Sequence, residues 1–230
     1  MIDRYDWAGG SEAMLRFGPA DGPVVVVAPP LFEEANRMRG FLVSVLRRLA
    51  DRGIASVLPD LPGQGESLLP TEAAQLADWG AAFSACVETV GRDAAVIAIR
   101  GGALVASESK ARRRYHFEPE SGASLVRDLL RARRAALLAA GERVVADDPS
   151  APGPSLLLAG HLLSRELLRS LMTAVPGAAD RTTVVFPAPS SPYPKLPGRK
   201  FWWANEPGTD EKLADALAQD AGDWVLSCAA

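Results

Sequence analysis

A short apolar run that ends in a glycine-containing turn restricts the possible folds of this chain more than any other feature. Residues 94–97 read Ala-Ala-Val-Ile, and residues 98–102 read Ala-Ile-Arg-Gly-Gly. Small residues on both sides of the central position let backbone approach backbone, as a sharp turn from a strand into a helix requires. Enzymes built on this turn place their nucleophile at its centre. Arg100 occupies that position here, and a permanently charged guanidinium cannot attack a carbonyl carbon.

Strand and helix patterns alternate along the first half of the chain. Residues 24–28 form a continuous, mostly β-branched run, which is typical of a parallel strand buried on both faces. A hairpin is predicted over residues 5–18. Further strands are predicted at 54–58, 94–99 and 112–118, and helices at 35–52, 71–90 and 102–110. This alternation predicts an α/β fold with a mostly parallel, twisted sheet and helices on both faces.

Residues 120–180 differ in character from the segments on either side. They contain two helical patterns, of which the first is rich in arginine and the second has Ser164 as a suitable N-cap. We interpret them as a small cap inserted between two parts of one domain, 1–119 and 181–230. The elements predicted in this half of the chain are helices at 125–138, 165–174 and 210–221 and strands at 183–186 and 200–203.

Charge, cysteine content and hydropathy exclude several classes of protein. The net charge of −3 gives no global attraction to nucleic acid or to anionic lipid. The two cysteines, Cys86 and Cys228, form neither a disulfide framework nor a metal-binding pair. No run approaches the roughly 20 apolar residues that span a bilayer, and the first residues lack the pattern of a signal peptide. We therefore expect a cytoplasmic protein without metal, cofactor, membrane insertion or a nucleic-acid partner.

Two further segments resemble parts of known proteins. Residues 59–67, Pro-Asp-Leu-Pro-Gly-Gln-Gly-Glu-Ser, are similar to the turn D-x-P-G-x-G-x-S that follows the fourth strand of many α/β-hydrolases. Residues 29–36, Pro-Pro-Leu-Phe-Glu-Glu-Ala-Asn, resemble the loop P-P-F-x-E-E-x-N of the hydrolase-like proteins associated with the exosortase A system, type 2. In that branch the turn around the nucleophile position often reads G-x-R-x-G-A. Residues 98–103 are similar to it, with alanine in the first place.

Shorter segments extend the resemblance along the chain. They are Pro119 with Ser121-Gly122, residues 130–133, residues 159–164, and Phe201-Trp202 before Glu206. His161 departs from the pattern, because an aromatic residue is expected at its position. The resemblance implies an α/β-hydrolase fold and hydrolase-like character, but it implies no substrate, since one fold hosts many functions.

The residues of a Ser-His-Asp triad are missing from their expected places. In this fold the histidine comes from the loop after the last strand, which corresponds to residues 204–208 and holds no histidine. The chain has only two histidines, His116 and His161. His116 lies in a predicted strand, where a structural role is expected. His161 lies in the predicted cap, from which a side chain can point into the pocket.

The turn retains groups that attract negative charge. Gly101 and Gly102 begin a helix, so their free N–H groups and the helix dipole favour an anion. The backbone N–H groups near Leu31 and Phe32 occupy the second half of an oxyanion-hole position. Arg100 adds a planar fork that binds a carboxylate or phosphate through two hydrogen bonds. One hypothesis is therefore a non-catalytic protein that holds a small anionic or acyl ligand at this turn.

A second interpretation of Arg100 is an internal plug. A buried guanidinium needs an acidic partner, and candidates follow several of the predicted strands. The candidate partners are Glu33 or Glu34, Glu118, and Glu206. In this case an ion pair within the protein fills the former active site and leaves no room for a ligand.

Two further hypotheses belong to other classes of function. The chain would be an acyl or ester hydrolase with displaced catalytic groups if His161 or Glu118 activated water while Arg100 and Gly101 stabilised the oxyanion. Alternatively, the resemblance suggests an interaction module in which residues 120–180 dock a partner protein. The residues alone leave these alternatives open.

Overall fold

A computed structural model describes residues 1–91, 93–144, 148–186, 189–204 and 208–229. Its strands are β1 (Ile2–Trp7), β2 (Gly10–Phe17), β3 (Val24–Ala28), β4 (Ala55–Pro59), β5 (Ala95–Ile99), β6 (Arg114–Phe117), β7 (Leu156–Leu158), β8 (His161–Leu163) and β9 (Arg181–Thr183). Its α-helices are α1 (Glu33–Asp51), α2 (Leu76–Val90), α3 (Gly102–Ala106), α4 (Gly122–Ala139), α5 (Arg165–Thr173) and α6 (Glu211–Ala229). Two single-turn 3-10 helices occur at Thr71–Ala73 and Phe201–Trp203.

Seven strands form one mostly parallel sheet in the order β1-β2-β4-β3-β5-β6-β9. The hairpin β1–β2 is antiparallel and joins β4 in the antiparallel sense, whereas every pairing from β4 to β9 is parallel. Alternate residues of β3 face opposite sides: Val26 belongs to a hydrophobic cluster with α2 to α5, and Val25 to another with α1 and α6. Helices therefore cover both faces, and the predicted α/β fold class is confirmed.

The segment between β6 and β9 holds α4, the separate hairpin β7–β8 and α5. Ser164 caps α5, because its Oγ accepts the Leu167 N–H at 3.1 Å, as predicted. Apolar side chains of these elements belong to the same cluster as those of α2 and α3. Among the described helices, none has both the length and the apolar character needed to cross a membrane.

The end of the sheet differs from the prediction. The strand expected at 200–203 is a 3-10 helix, and the strand expected at 183–186 is β9 followed by one bridge between Val184 and Lys195. Prolines, which lack an N–H for the ladder, recur through residues 187–197. In the 3-10 helix, Phe201 and Trp202 are buried in the core, and Trp202 packs edge-on against Phe117.

Candidate functional site

Three parallel strands lead to residues with a left-handed backbone at one edge of the sheet. These residues are Phe32 after β3 (φ 57°), Arg100 after β5 (φ 54°) and Glu118 after β6 (φ 47°). Side chains with a Cβ disfavour this region, at a cost on the order of 1–3 kcal/mol each. Residues with strained backbones occur most often at active sites and ligand-binding sites. This edge is also where open α/β sheets bind ligands.

The turn from β5 into α3 has the tight geometry that the sequence predicts. The Arg100 N–H donates to the Phe117 carbonyl at 2.9 Å, so the turn stays tied to β6. Gly102 is in close contact with the end of β3. A Cβ at this position would lie 2.3 Å from the Ala28 oxygen and 2.5 Å from the Pro29 oxygen. Only glycine fits there, because any side chain would collide with these carbonyl oxygens. The close contact between the turn and the end of β3 therefore explains why the turn contains small residues.

The Arg100 side chain is buried and held by two carboxylates. Its Nε and Nη2 donate to Glu34 Oε2 and Oε1 at 3.2 and 2.9 Å, a bidentate pair. Nη2 also donates to Glu120 Oε2 at 2.6 Å, and Nη1 donates to the Glu118 carbonyl at 3.2 Å. The guanidinium carbon lies 5.3 Å from the centre of the Trp202 ring. We call Arg100, Glu34 and Glu120 the Arg100 cluster.

Solvent hardly reaches the cluster. The exposed fractions of the side chains are 5% for Arg100, 12% for Glu34 and 7% for Glu120. Burial raises the pKa of Glu34 above its ordinary value, against the opposing charge of Arg100, and the neighbouring Glu120 adds to the rise. Burial alone would lower the pKa of Arg100, but the charges of Glu34 and Glu120 raise it. The guanidinium therefore stays charged.

The predicted acidic residues have different partners. Glu34 pairs with Arg100 as the plug interpretation requires, whereas Glu33 pairs with Arg37 at 3.5 Å. The Glu118 carboxylate turns away, accepting the Val185 N–H at 2.6 Å and meeting Lys200 Nζ at 2.9 Å. Glu206 lies outside the described residues.

Sequence reasoning missed Glu120. Its Oε1 accepts the Ser124 hydroxyl at 2.9 Å, which orients the carboxylate toward Arg100. Its place in the sequence could have identified it as a partner of Arg100, because Glu120 lies in the loop after β6, at the same edge of the sheet as Arg100. It also precedes Ser121, whose Oγ caps α4.

One of the predicted oxyanion-hole N–H groups already donates a hydrogen bond within the protein. The Phe32 N–H donates to Gln64 Oε1 at 3.0 Å, and Gln64 belongs to the turn 59–67. The Leu31 side chain covers Gly101, since its Cγ lies 3.2 Å from the place that a Cβ of Gly101 would take. The Leu31 side chain thus lies over the residue that precedes α3.

Neither histidine is joined to Arg100 by a hydrogen bond or ion pair within the described part of the chain. The His161 ring packs edge-on against Phe32, with 5.6 Å between ring centres, and lines a separate pocket of about 330 Å³. Burial lowers the pKa of His161. His116 is buried in β6, and burial lowers its pKa to about 4. In the described ranges, no group of three or more His, Cys, Asp or Glu side chains is arranged to hold a metal ion.

A cleft of about 630 Å³ opens beside the Arg100 cluster. It lies between the start of α1, the outer face of α4 and the 3-10 helix Phe201–Trp203. Charged side chains of both signs contribute to its wall, together with apolar ones. The charged lining residues are Glu33, Glu34, Glu120, Asp128, Arg37, Arg127 and Arg131. The apolar lining residues are Leu31, Phe32, Leu125, Leu129, Ala132, Ala135, Trp202 and Trp203.

Comparison with known proteins shows the fold. No family model and no curated protein match this chain. Est1E from Butyrivibrio proteoclasticus, solved with ferulic acid bound, is 15% identical over 99% of both chains, with a TM-score of 0.64. DBJA, solved as its delta mutant, is 17% identical over 100% of this chain and 99% of its own, with a TM-score of 0.59. The chain therefore has the α/β-hydrolase fold.

Other similar structures are epoxide hydrolases. The match to VrEH1 from Vigna radiata has 19% identity and a TM-score of 0.42, over 51% of this chain. It spans 39% of the length of that epoxide hydrolase. The two full-length matches, at 15% and 17% identity, establish the fold alone, so the chemistry has to be inferred from the residues of the site.

Proposed function

We propose that this chain is a non-catalytic protein of the α/β-hydrolase fold, whose former nucleophile position is sealed by the Arg100 cluster. One observation carries the proposal: the guanidinium at the centre of the turn forms a bidentate pair with Glu34 and a further ion pair with Glu120. The residue that should attack a substrate is instead part of the protein's internal structure.

The same contacts favour the plug over an anion-binding pocket. Arg100 makes four hydrogen bonds, and a guanidinium has five N–H donors. One N–H therefore remains, so an external anion that bound the guanidinium through two hydrogen bonds would have to displace a carboxylate that is already bound and buried. It would also approach two negative charges, which repel it at short range in a region of low dielectric constant.

The contacts also weigh against displaced catalytic groups. A general base must lie within hydrogen-bond reach of the proton that it removes. The Glu118 carboxylate is directed toward Lys200 and the Val185 N–H, away from Arg100, and His161 lines a separate pocket. The Phe32 N–H, one half of the expected oxyanion hole, already donates to Gln64.

We also propose that the chain belongs to the hydrolase-like branch associated with the exosortase A system, type 2. Two of the motifs that carry this resemblance are in contact, since Glu34 comes from the loop 29–36 and Arg100 from the turn 98–103. A buried arginine in the turn needs an acidic partner, and the loop provides one in Glu34. Each supplies the charge that the other needs.

The proposal is tested by intact mass after incubation with a fluorophosphonate probe, which labels activated serines covalently. We expect no adduct, while an active serine hydrolase treated in parallel is labelled fully. A stoichiometric adduct on this chain would show that a serine elsewhere, such as Ser67 or Ser107, has become nucleophilic. That result would overturn the non-catalytic assignment.

A further inference from the structure

The pocket that His161 lines is separate from the Arg100 cluster and lies between three parts of the chain. Its wall consists of the start of α1, the turn after β4 and the first residue of β8. Phe32 and Leu69 supply apolar surface. We call it the His161 pocket. Its volume of about 330 Å³ is far larger than the roughly 30 Å³ that one molecule occupies in liquid water, so one ordered water does not fill it.

Gln64, which lines the pocket, has a buried donor with no acceptor. Its Oε1 accepts the Phe32 N–H at 3.0 Å, and this hydrogen bond fixes the orientation of the amide. Its Nε2 is buried and donates to no atom of the described residues. Exchanging the two amide atoms would place a donor against the Phe32 N–H, so the unpaired group is not removed in that way. Buried polar groups nearly always have a partner, and the unpaired Nε2 therefore indicates one from outside the described chain.

Asn36 and His161 add further hydrogen-bonding groups to the same pocket. Neither side chain forms a hydrogen bond with another residue in the part of the chain that the structure describes. Burial lowers the pKa of His161, so its imidazole is neutral near pH 7 and offers one donor and one acceptor. The hydroxyls of Ser67 and Thr71, in contrast, donate to acceptors within the protein at 3.0 and 2.6 Å. The groups left for a ligand are two carboxamides and one neutral imidazole.

The lining favours a neutral ligand. None of the described residues that line the pocket has a formal charge at neutral pH. Two carboxylates outside the lining act on its groups and have partners of their own. Glu12 accepts the Ser67 hydroxyl at 3.0 Å, and Glu33, whose charge acts on His161, pairs with Arg37 at 3.5 Å. An ionised ligand would therefore lose hydration in the pocket without gaining an opposite charge.

We propose that the His161 pocket binds a small neutral molecule with a carboxamide group and an apolar body. The carbonyl oxygen of the ligand accepts from Gln64 Nε2, and its N–H₂ donates to the imidazole of His161 or to the Asn36 carbonyl oxygen. The apolar body lies against Phe32 and Leu69. A carboxamide supplies the acceptor that Gln64 lacks and a donor for the neutral imidazole in one planar group. The inference goes beyond the proposed function, because no group of the Arg100 cluster takes part in it.

The experiment compares benzamide, benzoate and benzamidine, which have nearly the same shape and are neutral, anionic and cationic. Binding to the full chain at pH 7.5 is measured by calorimetry. We expect benzamide to bind at least about tenfold more tightly than either ion, because the pocket does not compensate the loss of an ion's hydration. The place of binding is followed by the NMR signals of the His161 ring, assigned by their loss in His161→Phe. These signals should shift to saturation with benzamide, whereas those of His116, buried in β6, should not move.

Two variants test the individual hydrogen bonds. Gln64→Glu keeps the size of the side chain and an oxygen for the Phe32 N–H, but replaces the donor by a charged acceptor. Benzamide binding should weaken by at least about tenfold, and benzamidine should become the preferred probe. His161→Phe keeps an aromatic ring against Phe32 and removes both ring nitrogens, so benzamide binding should weaken by about fivefold.

Gln219→Glu is the matched control for Gln64→Glu. It makes the same change of charge on an exposed residue of α6, so benzamide binding should change by less than about twofold. Folding of each variant is checked by its melting curve. If Gln64→Glu does not fold, the probe series on the unmodified chain and on His161→Phe still tests the proposal.

Four results would each overturn the carboxamide site. They are equal or tighter binding of either ion, no binding of benzamide up to its solubility limit, binding that leaves the His161 signals unmoved, and equal effects of Gln64→Glu and Gln219→Glu. None of these results produces a fluorophosphonate adduct. An adduct would overturn the non-catalytic assignment instead, whichever probe the His161 pocket prefers.

Discussion

Removing the guanidinium from the Arg100 cluster should strongly destabilise the fold. Arg100→Ala leaves Glu34 and Glu120 buried together with no cation between them. Breaking a buried ion pair from one side costs about 3–5 kcal/mol. The variant also loses the cation–π contact with Trp202 and the hydrogen bond to the Glu118 carbonyl. Since domains are stable by only about 5–15 kcal/mol, this loss is a large share of the total.

The decrease in the free energy of unfolding caused by Arg100→Ala should become smaller as pH falls. Without Arg100, the pKa of Glu34, which burial already raises, rises further in the folded state. The folded variant then binds protons more readily than the unfolded chain, so its stability increases as pH falls toward the ordinary carboxyl range. The difference from the unmodified protein should therefore be larger at pH 7.5 than at pH 5.

Urea denaturation followed by tryptophan fluorescence measures both effects. Arg131→Ala is the control, since that arginine is 71% exposed and pairs with Asp128, and its loss should cost less than about 1 kcal/mol. Neutralising both acids in the Arg100→Ala background, with Glu34→Gln and Glu120→Gln, should restore much of the stability. A cost below about 1 kcal/mol for Arg100→Ala at pH 7.5 would refute the plug, because the cluster would then not be an internal ion pair.

Two further predictions concern the sheet around the site. Burial lowers the pKa of His116 to about 4. As pH falls from 6.5 to 4, the unfolded chain therefore binds a proton at this histidine before the folded protein does, and the free energy of unfolding decreases by up to ~3 kcal/mol. Chemical denaturation of His116→Gln across this range should show a smaller loss than the unmodified protein, and an identical pH profile would contradict the assignment. Gly102→Ala should cost at least ~2 kcal/mol, because a Cβ would collide with the Ala28 carbonyl. Gly208→Ala, with open space around it, should leave the melting temperature almost unchanged, and equal effects of the two changes would be inconsistent with the close approach at Gly102.

Most of the fold could be predicted from short patterns in the sequence. The β-branched run of β3 requires burial on both faces, and the small residues at 98–102 permit only a tight turn. Both signals depend on residues adjacent in the chain, so no knowledge of distant contacts is needed. The segment 200–203 has the aromatic composition of a buried strand but forms a 3-10 helix, and the residue that bridges to Val184 after β9 is Lys195, within the proline-rich stretch.

The partners of Arg100 could be predicted only in part. Glu118 and Glu120 both follow β6, and the prediction named Glu118 but not Glu120. The choice depends on the left-handed backbone of Glu118, which sends its carbonyl toward Arg100 and its carboxylate toward Lys200. Positive φ at a glutamate has no sequence signal. The boundaries of the cap, its partner protein and the cytoplasmic location stay predictions.

The cluster also explains how the strained edge is held in place. Glu34 comes from the first turn of α1, Arg100 from the turn before α3, and Glu120 from the loop before α4. One guanidinium thus connects three elements at the edge where Phe32, Arg100 and Glu118 have left-handed backbones. These contacts join the three elements beside the residues whose backbones are strained.

The most direct measurement is the NMR signal of the Arg100 Nε–H, assigned by its loss in Arg100→Lys and followed during a titration with inorganic phosphate. The account predicts a resolved signal that exchanges slowly with water and does not move as phosphate is added, because Glu34 holds this proton inside the protein. A signal that exchanges rapidly, or one that shifts to saturation with phosphate, would show that Arg100 is open to an external anion and would contradict the sealed site.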